Sequence, residues 1–204
     1  MEEDLLKLFE FLEKSADLKS TLRYVYLQTG RQESSAEHSW QLSLMVPMLI
    51  DLLKLDLDIN KSVNLALIHD LPEAITGDID AISIMKGEAT KEQKQILEAE
   101  AMESLQNLLP ESLGNKVFAL WHEYEMAQTE EAKFVKALDK LETTFQLTLN
   151  CQTLGHIEFL VTYPDPAVRN YPALLPLLKV IKTRLKAEFI NRGLKWSEDF
   201  NYGL

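Results

Sequence analysis

Residues 60–79 read NKSVNLALIHDLPEAITGDI. The stretch from about Asn60 to Ile75 has the pattern of a central helix, and Thr76-Gly77-Asp78 then turns the chain. His69 and Asp70 are neighbours, so on a regular helix they point about 100° apart. Pro72 removes one backbone donor just beyond them, and the bend it predicts lets both side chains reach one point. His38 lies far upstream and Asp139 far downstream, giving an H…HD…D pattern. Two imidazoles and two carboxylates can hold one divalent cation, and such an ion makes water nucleophilic at neutral pH. Mixed nitrogen and oxygen donors suit Mn, Fe, Co, Ni or Zn better than calcium. Singly, each residue reads as a core histidine, a helix cap or a solvated acid. Together, on helices apolar enough to be central, they read as His38, His69, Asp70 and Asp139 around a common ion.

Working outward, the chain reads as almost entirely helical, with only 7 glycines and 7 prolines. Leu5, Leu8, Phe9 and Leu12 mark a first helix over residues 3–15, and a short second helix is expected over about 18–27. Ser34-Ser35-Ala36-Glu37 matches a capping box. The helix it opens, to about Leu53, is apolar nearly all round (Trp40, Leu42, Leu44, Val46, Met48, Ile50), which predicts burial, with a kink at Pro47. Residues 79–90 read as a loop, and helices follow over about 90–109 and 112–127. Thr129 caps the next helix, which carries Asp139 to about Thr153. Gly155, Pro164 and Pro166 mark residues 155–170 as loop, and a final helix spans about 172–192. No repeat or linker divides the chain, so residues 1–204 are expected to form one domain with its motif-bearing core at about 18–153 and the last helix packed on it.

Hydrophobic residues make up 46% of the 204-residue chain, enough for a substantial core. No apolar run reaches the roughly 20 residues that span a bilayer, so no membrane association is expected. The acidic, amphipathic start MEEDLLKLFEFLEKS lacks the marks of a signal peptide. The single cysteine, Cys151, rules out an intrachain disulfide and suits a reducing cytoplasm. A net charge of −11 works against nucleic acid polymers as partners. It still allows a small phosphorylated substrate, because a metal ion and an arginine can invert the field locally.

Three segments carry a resemblance: RQESSAEHSW at 31–40, LALIHDLPEAITGDI at 65–79 and AKFVKALDKLE at 132–142. In this order and at these intervals they resemble the HD-domain metal-dependent phosphohydrolases, within them the branch of bacterial 5′-deoxynucleotidases and their eukaryotic HD-domain relatives. The resemblance implies an all-α helical bundle with a central metal site, His38, His69, Asp70 and Asp139 as its ligands, and a homodimer. It implies that Glu73 and Asp78 flank the reacting phosphate. On residue type alone, Glu73 also reads as a solvated helix residue and Asp78 as a turn former. Arg23 stands at the interval of a phosphate-contacting arginine in these nucleotidases, and its fork suits a phosphate dianion. Arg31 is a second candidate, or the partner of Glu37 or Glu33 in an ion pair. Where the bacterial enzymes usually show Arg-Trp-Pro near the sugar, this chain has Arg23-Tyr24-Val25, a departure that leaves the choice of deoxyribose over ribose open. Lys136, three residues before Asp139, reads as a support for the site or a surface lysine. Trp121, Tyr124 and Trp196 read as packing residues, and His122 and His156 have no metal-ligand spacing.

The function expected is metal-dependent hydrolysis of nucleoside 5′-monophosphates, the deoxyribonucleoside forms above all, to nucleoside and phosphate, with no organic cofactor. The alternatives are the same site acting on a phosphodiester or an alarmone, and a non-catalytic HD-type binding module.

Overall fold

A computed structural model of the chain describes residues 1–150 and 156–204. Cys151, Gly155 and the expected helix end at Thr153 lie outside the described residues. Helix α1 (Glu2–Ser15) opens with Glu2, Glu3 and Asp4 in its first turn and has Lys14 in its last, both favourable to the helix dipole. The second helix expected over 18–27 is instead a 3₁₀ turn (Ala16–Lys19) followed by strand β1 (Leu22–Tyr26). β1 pairs antiparallel with β2 (Gln32–Ser34). The run Leu-Arg-Tyr-Val-Tyr has the aromatic and β-branched content of a strand, and a partner nine residues on completes the hairpin.

Ser34 caps α2 (Ser35–Leu53) in a full capping box with Glu37. The expected all-round burial of α2 is corrected by the structure. His38, Leu42, Val46 and Ile50 recur every four residues and form the buried face, while Trp40, Leu44, Met48 and Leu52 form an exposed one. The helix packs on α3 (Ile59–Ile68) and the later helix α8, with Met45, Leu49 and Leu53 partly buried beside the first face. The helix expected from 60 to 75 is divided. α3 stops with His69 as its C-cap, and Pro72 precedes the single turn α4 (Glu73–Thr76). The expected loop 79–90 contains α5 (Ala81–Met85), capped by Asp80. α6 (Lys91–Asn107), α7 (Glu111–Met126) and α8 (Glu130–Leu149) follow as expected, α6 and α8 capped by Thr90 and Thr129.

The expected loop 155–170 also differs: its described residues form α9 (Ile157–Thr162) and α10 (Asp165–Asn170). Pro164 and Pro166 sit at the start of α10, where a missing N–H costs nothing, so they open a helix rather than break one. α11 (Leu175–Asn191) closes the fold against α8. α8 is the axis of the core. Its Phe134, Val135, Leu138 and Leu141 are buried with Leu42 of α2, Leu65 of α3 and Leu178 of α11. Truncating such a residue to alanine costs about 2–5 kcal/mol. A second cluster joins Phe11, Leu18, Met102, Leu105 and Trp121. Among the described residues, no helix is long and apolar enough to cross a membrane.

Candidate active site

α8 carries polar residues on its buried side. Asp139, Glu142, Thr143 and Gln146 recur at helical spacing and are all buried. They face α2, β1 and the end of α3. His38, in the first turn of α2, and Asp139 are thereby brought to the His69-Asp70 pair, where the chain has just left α3. His38 Nε2 lies 3.2 Å from His69 Nε2, 3.2 Å from Asp139 Oδ1 and 3.8 Å from Asp70 Oδ2. His69 Nε2 lies 3.2 Å from Asp70 Oδ1. Ligand atoms about 2.1 Å from one ion sit roughly 3.0 Å apart at adjacent octahedral positions and roughly 3.4 Å apart at tetrahedral ones. The three spacings of 3.2 Å, among them both that join His38 to His69 and Asp139, fall in that range, and Asp70 Oδ2 at 3.8 Å from His38 lies just outside it.

The protons tell the same story. His38 Nδ1 donates to Glu142 Oε2 at 2.5 Å, and His69 Nδ1 donates to the carbonyl of Ala66 at 2.8 Å. Each neutral ring therefore presents a bare Nε2 lone pair to the other, an arrangement that calls for positive charge between them. The carboxylates around His38 make the same demand. Burial, the largest influence, and Arg23 oppose a charged His38, yet Glu142 and Asp139 outweigh them and push it up to about 10. Asp139 Oδ2 accepts from the Tyr124 hydroxyl at 2.7 Å and from Lys140 Nζ at 2.8 Å, leaving Oδ1 toward the histidines. The donor set thus fits a divalent transition metal, with two oriented imidazoles, two hard carboxylates and outer partners that fix each ligand.

Beside this cluster opens a cavity of about 760 Å³, lined by His69, Asp70 and Asp139 and by Arg23, Tyr24, Glu73 and Asp78. Arg23, on β1, is only 11% exposed. Its guanidinium donates to Asp70 Oδ2 at 3.3 Å and to Thr143 Oγ1 at 3.0 Å, and its Nε lies 3.3 Å from Glu33 Oε2. Glu73 is buried and accepts from Ser35 Oγ at 2.6 Å. Burial, with Asp70 and Asp78 as neighbours, raises its carboxyl well above the usual range, and burial raises Asp78 too. Lys94 also lines the cavity and donates to the carbonyl of Ile79, tethering the segment that carries Asp78.

Arg31 is the expected site residue that the structure does not bring here. Its side chain is 54% exposed and grips Glu37 with contacts of 2.5 and 3.0 Å, so the capping glutamate takes the charge expected for phosphate. Tyr124 is more than the packing residue expected, since it bonds Asp139 and lies 5.1 Å, ring to ring, from His69. Lys136 lines the cavity while its Nζ caps α7 through the carbonyl of Glu125. Glu142 and Thr143 were not singled out in the sequence. Their signal is the polar spacing 139, 142, 143 and 146 beside the apolar face of Phe134, Val135, Leu138 and Leu141.

The family model described as HD domain matches residues 15–162. Proteins named 5′-deoxynucleotidase HDDC2 from Homo sapiens and Xenopus laevis are each 39% identical to the chain. Both alignments cover 68% of this chain, and they cover 66% of the human and 67% of the Xenopus protein, so the match spans about two thirds of these curated relatives. A solved structure titled a predicted metal-dependent phosphohydrolase, from Magnetospirillum magnetotacticum, superposes with a TM-score of 0.72 at 25% identity, covering 94% of this chain and 97% of that one.

Proposed function

Because this chain belongs to the HD domain family, we propose that it is a metal-dependent 5′-nucleotidase that takes deoxyribonucleoside 5′-monophosphates. The observation that carries the reading is the meeting of His38, His69 and Asp139 at ligand spacing, with Asp70 beside them, at a cavity that also holds Arg23 and the carboxyls of Glu73 and Asp78. These four side chains would hold one Mn, Co, Fe, Ni or Zn ion. When bound, such an ion supplies Lewis acidity toward a phosphate oxygen and a water activated at neutral pH.

The chain's own residues do the rest. Arg23 offers its fork to the phosphoryl oxygens, already aimed by Asp70, Thr143 and Glu33. Glu73 is buried and Asp78 half-buried, and burial raises the carboxyl of each above its ordinary value, with Asp78 adding to the rise at Glu73. Between them they accept a proton from the attacking water and return one to O5′ as the P–O5′ bond breaks. Nucleoside and inorganic phosphate leave, and the proton count balances. Tyr24 lines the cavity and supplies a flat wall for the sugar. The deoxy preference is supported by the names of the human and Xenopus relatives.

We also propose a single domain over residues 1–204, a cytoplasmic location and a homodimer. The lone cysteine supports the second, and the exposed Phe9, Trp40 and Met48 support the third. Sedimentation of the purified protein tests the dimer. The activity is tested by removing metal with a chelator, restoring manganese or cobalt, and following phosphate release. Deoxynucleotides, ribonucleotides, a phosphodiester and an alarmone form the panel. Metal-dependent release from the 5′-monophosphates, fastest with the deoxy forms, is expected. Turnover of the diester or alarmone alone would overturn the reading.

A further inference from the structure

Metal and phosphate account for His69, Asp70, Asp139, Arg23, Glu73 and Asp78 on the cavity wall, and the sugar for Tyr24. A different part of the lining is left over. It comes from α5 and from the stretch beginning at α9, neither of which carries any of the converging metal-site residues. Ile84 and Met85 line it from α5, and Phe159, Leu160 and Tyr163 from the other side. Phe159 and Tyr163 are only half-buried, although they sit in an apolar wall. Their ring centroids are 5.7 Å apart at 42°, so the two rings meet at a tilt and leave aromatic surface free for a third. Lys140, which also bonds Asp139, lies 5.2 Å from the Tyr163 ring and ties this wall to the metal-side wall.

We propose that Phe159 and Tyr163 form a shelf on which the nucleobase of the substrate stacks, and that this shelf grades substrates by the area of the base, purine above pyrimidine. The inference rests on the nucleotidase reading and deepens it. Phosphate and deoxyribose have no flat apolar face to offer such a wall; the base has one. Carbon atoms dominate this wall, so the base is held by its face and not read along its edge. Every base has a face, so recognition by stacking tolerates all of them and favours the larger ring system.

The test uses the manganese-loaded full chain. The values of kcat and KM are measured for dGMP, for dCMP and for 2-deoxyribose 5-phosphate, which keeps the phosphate and sugar but has no base. The wild-type protein is expected to rank them in that order by kcat/KM. Phe159→Leu keeps apolar volume and removes the flat ring. It is expected to raise KM for dGMP about tenfold with kcat nearly constant, and to narrow the gap between dGMP and the abasic ester. Phe159→Ala should enlarge the effect, and circular dichroism shows whether that variant still folds; the leucine variant decides if it does not. An unchanged dGMP KM in Phe159→Leu overturns the shelf. So does a wild-type protein that hydrolyses the abasic ester as efficiently as dGMP. Absence of turnover in every arm removes the nucleotidase reading, and the shelf with it, a pattern distinct from normal turnover without base dependence.

Discussion

Where α10 meets α11, Lys182 has no exposure at all, and its Nζ lies 2.7 Å from Asp165 Oδ1 and 2.8 Å from Oδ2. That buried charge is closed in the sense that one cation meets one carboxylate directly, with the Tyr202 ring 5.7 Å from the ammonium. Where α2, α3 and α8 meet, the arrangement is open. The Nε2 atoms of His38 and His69 face each other, Asp139 keeps one oxygen toward them, and against burial the carboxylates of Glu142 and Asp139 push His38 up to about 10. The closed pair is complete in the chain alone, whereas the open cluster is complete only with an ion. The difference separates charge buried for the fold from charge buried for chemistry, and it predicts which substitutions cost activity and which cost stability.

The largest effect should come from breaking the open cluster. Asp70→Ala is expected to reduce phosphate release at least about a thousandfold, as loss of several kcal/mol of Lewis-acid stabilisation implies. The fold should survive. In the wild-type protein, manganese at 100 times its Kd adds about 2.7 kcal/mol of stability, read as a rise in Tm. Asp70→Ala should lose that rise. A variant that keeps both turnover and the metal-linked Tm would place the ion elsewhere.

Breaking the closed pair should do the reverse. Asp165→Ala strands Lys182 and is expected to cost about 3–5 kcal/mol, seen as a lower denaturant midpoint that added metal does not restore to the wild-type value. Replacing both partners with apolar residues of similar size, Asp165→Leu with Lys182→Met, should recover most of that loss. If the single and double variants are equally unstable, the pair is not the closed unit described.

The two places also differ in how far they can be read from the sequence. His38, His69, Asp70 and Asp139 were legible because residue chemistry and order coincide with a resemblance that spans three segments. Glu142, Thr143 and Tyr124 were not. A polar stripe at helical spacing ordinarily faces water, and only the packing of α8 in the middle of the fold turns this one inward. The aromatic wall was hidden for another reason. Pro164 and Pro166 punctuate residues 155–170 as a loop, and a proline that opens a helix looks in sequence like one that ends it. The hairpin of β1 and β2 is too short for periodicity to reveal, yet it is what places Arg23.

A smaller effect tests the support beneath the open cluster. Glu142→Gln keeps the shape but weakens the hydrogen bond that fixes the His38 ring. Metal affinity is expected to fall about 10- to 100-fold, measured by titrating the metal-free protein. At saturating metal, kcat should return close to the wild-type value, because Glu142 orients a ligand and does not line the cavity. A lasting loss of kcat would instead give Glu142 a part in the reaction.

The smallest effect belongs to a pair that is neither closed nor open but wet. Arg31 holds Glu37 at the start of α2, and the hydrogen bond from Arg31 is the largest influence keeping the Glu37 carboxyl down at about 2, from an ordinary 4.5. A carboxylate whose pKa falls on folding stabilises the fold above its unfolded pKa, and that contribution disappears as pH falls through the folded value. Arg31→Ala should therefore lower the denaturant midpoint slightly at neutral pH. The gap between variant and wild type should shrink between about pH 4.5 and pH 2 and also shrink in high salt, since both side chains are well exposed. The variant should hydrolyse nucleotides normally, because Arg31 lies away from the cavity. A marked rise in KM would return Arg31 to the phosphate. It would also mean that the line between charge serving the fold and charge serving chemistry runs through the first turn of α2 and not beneath it.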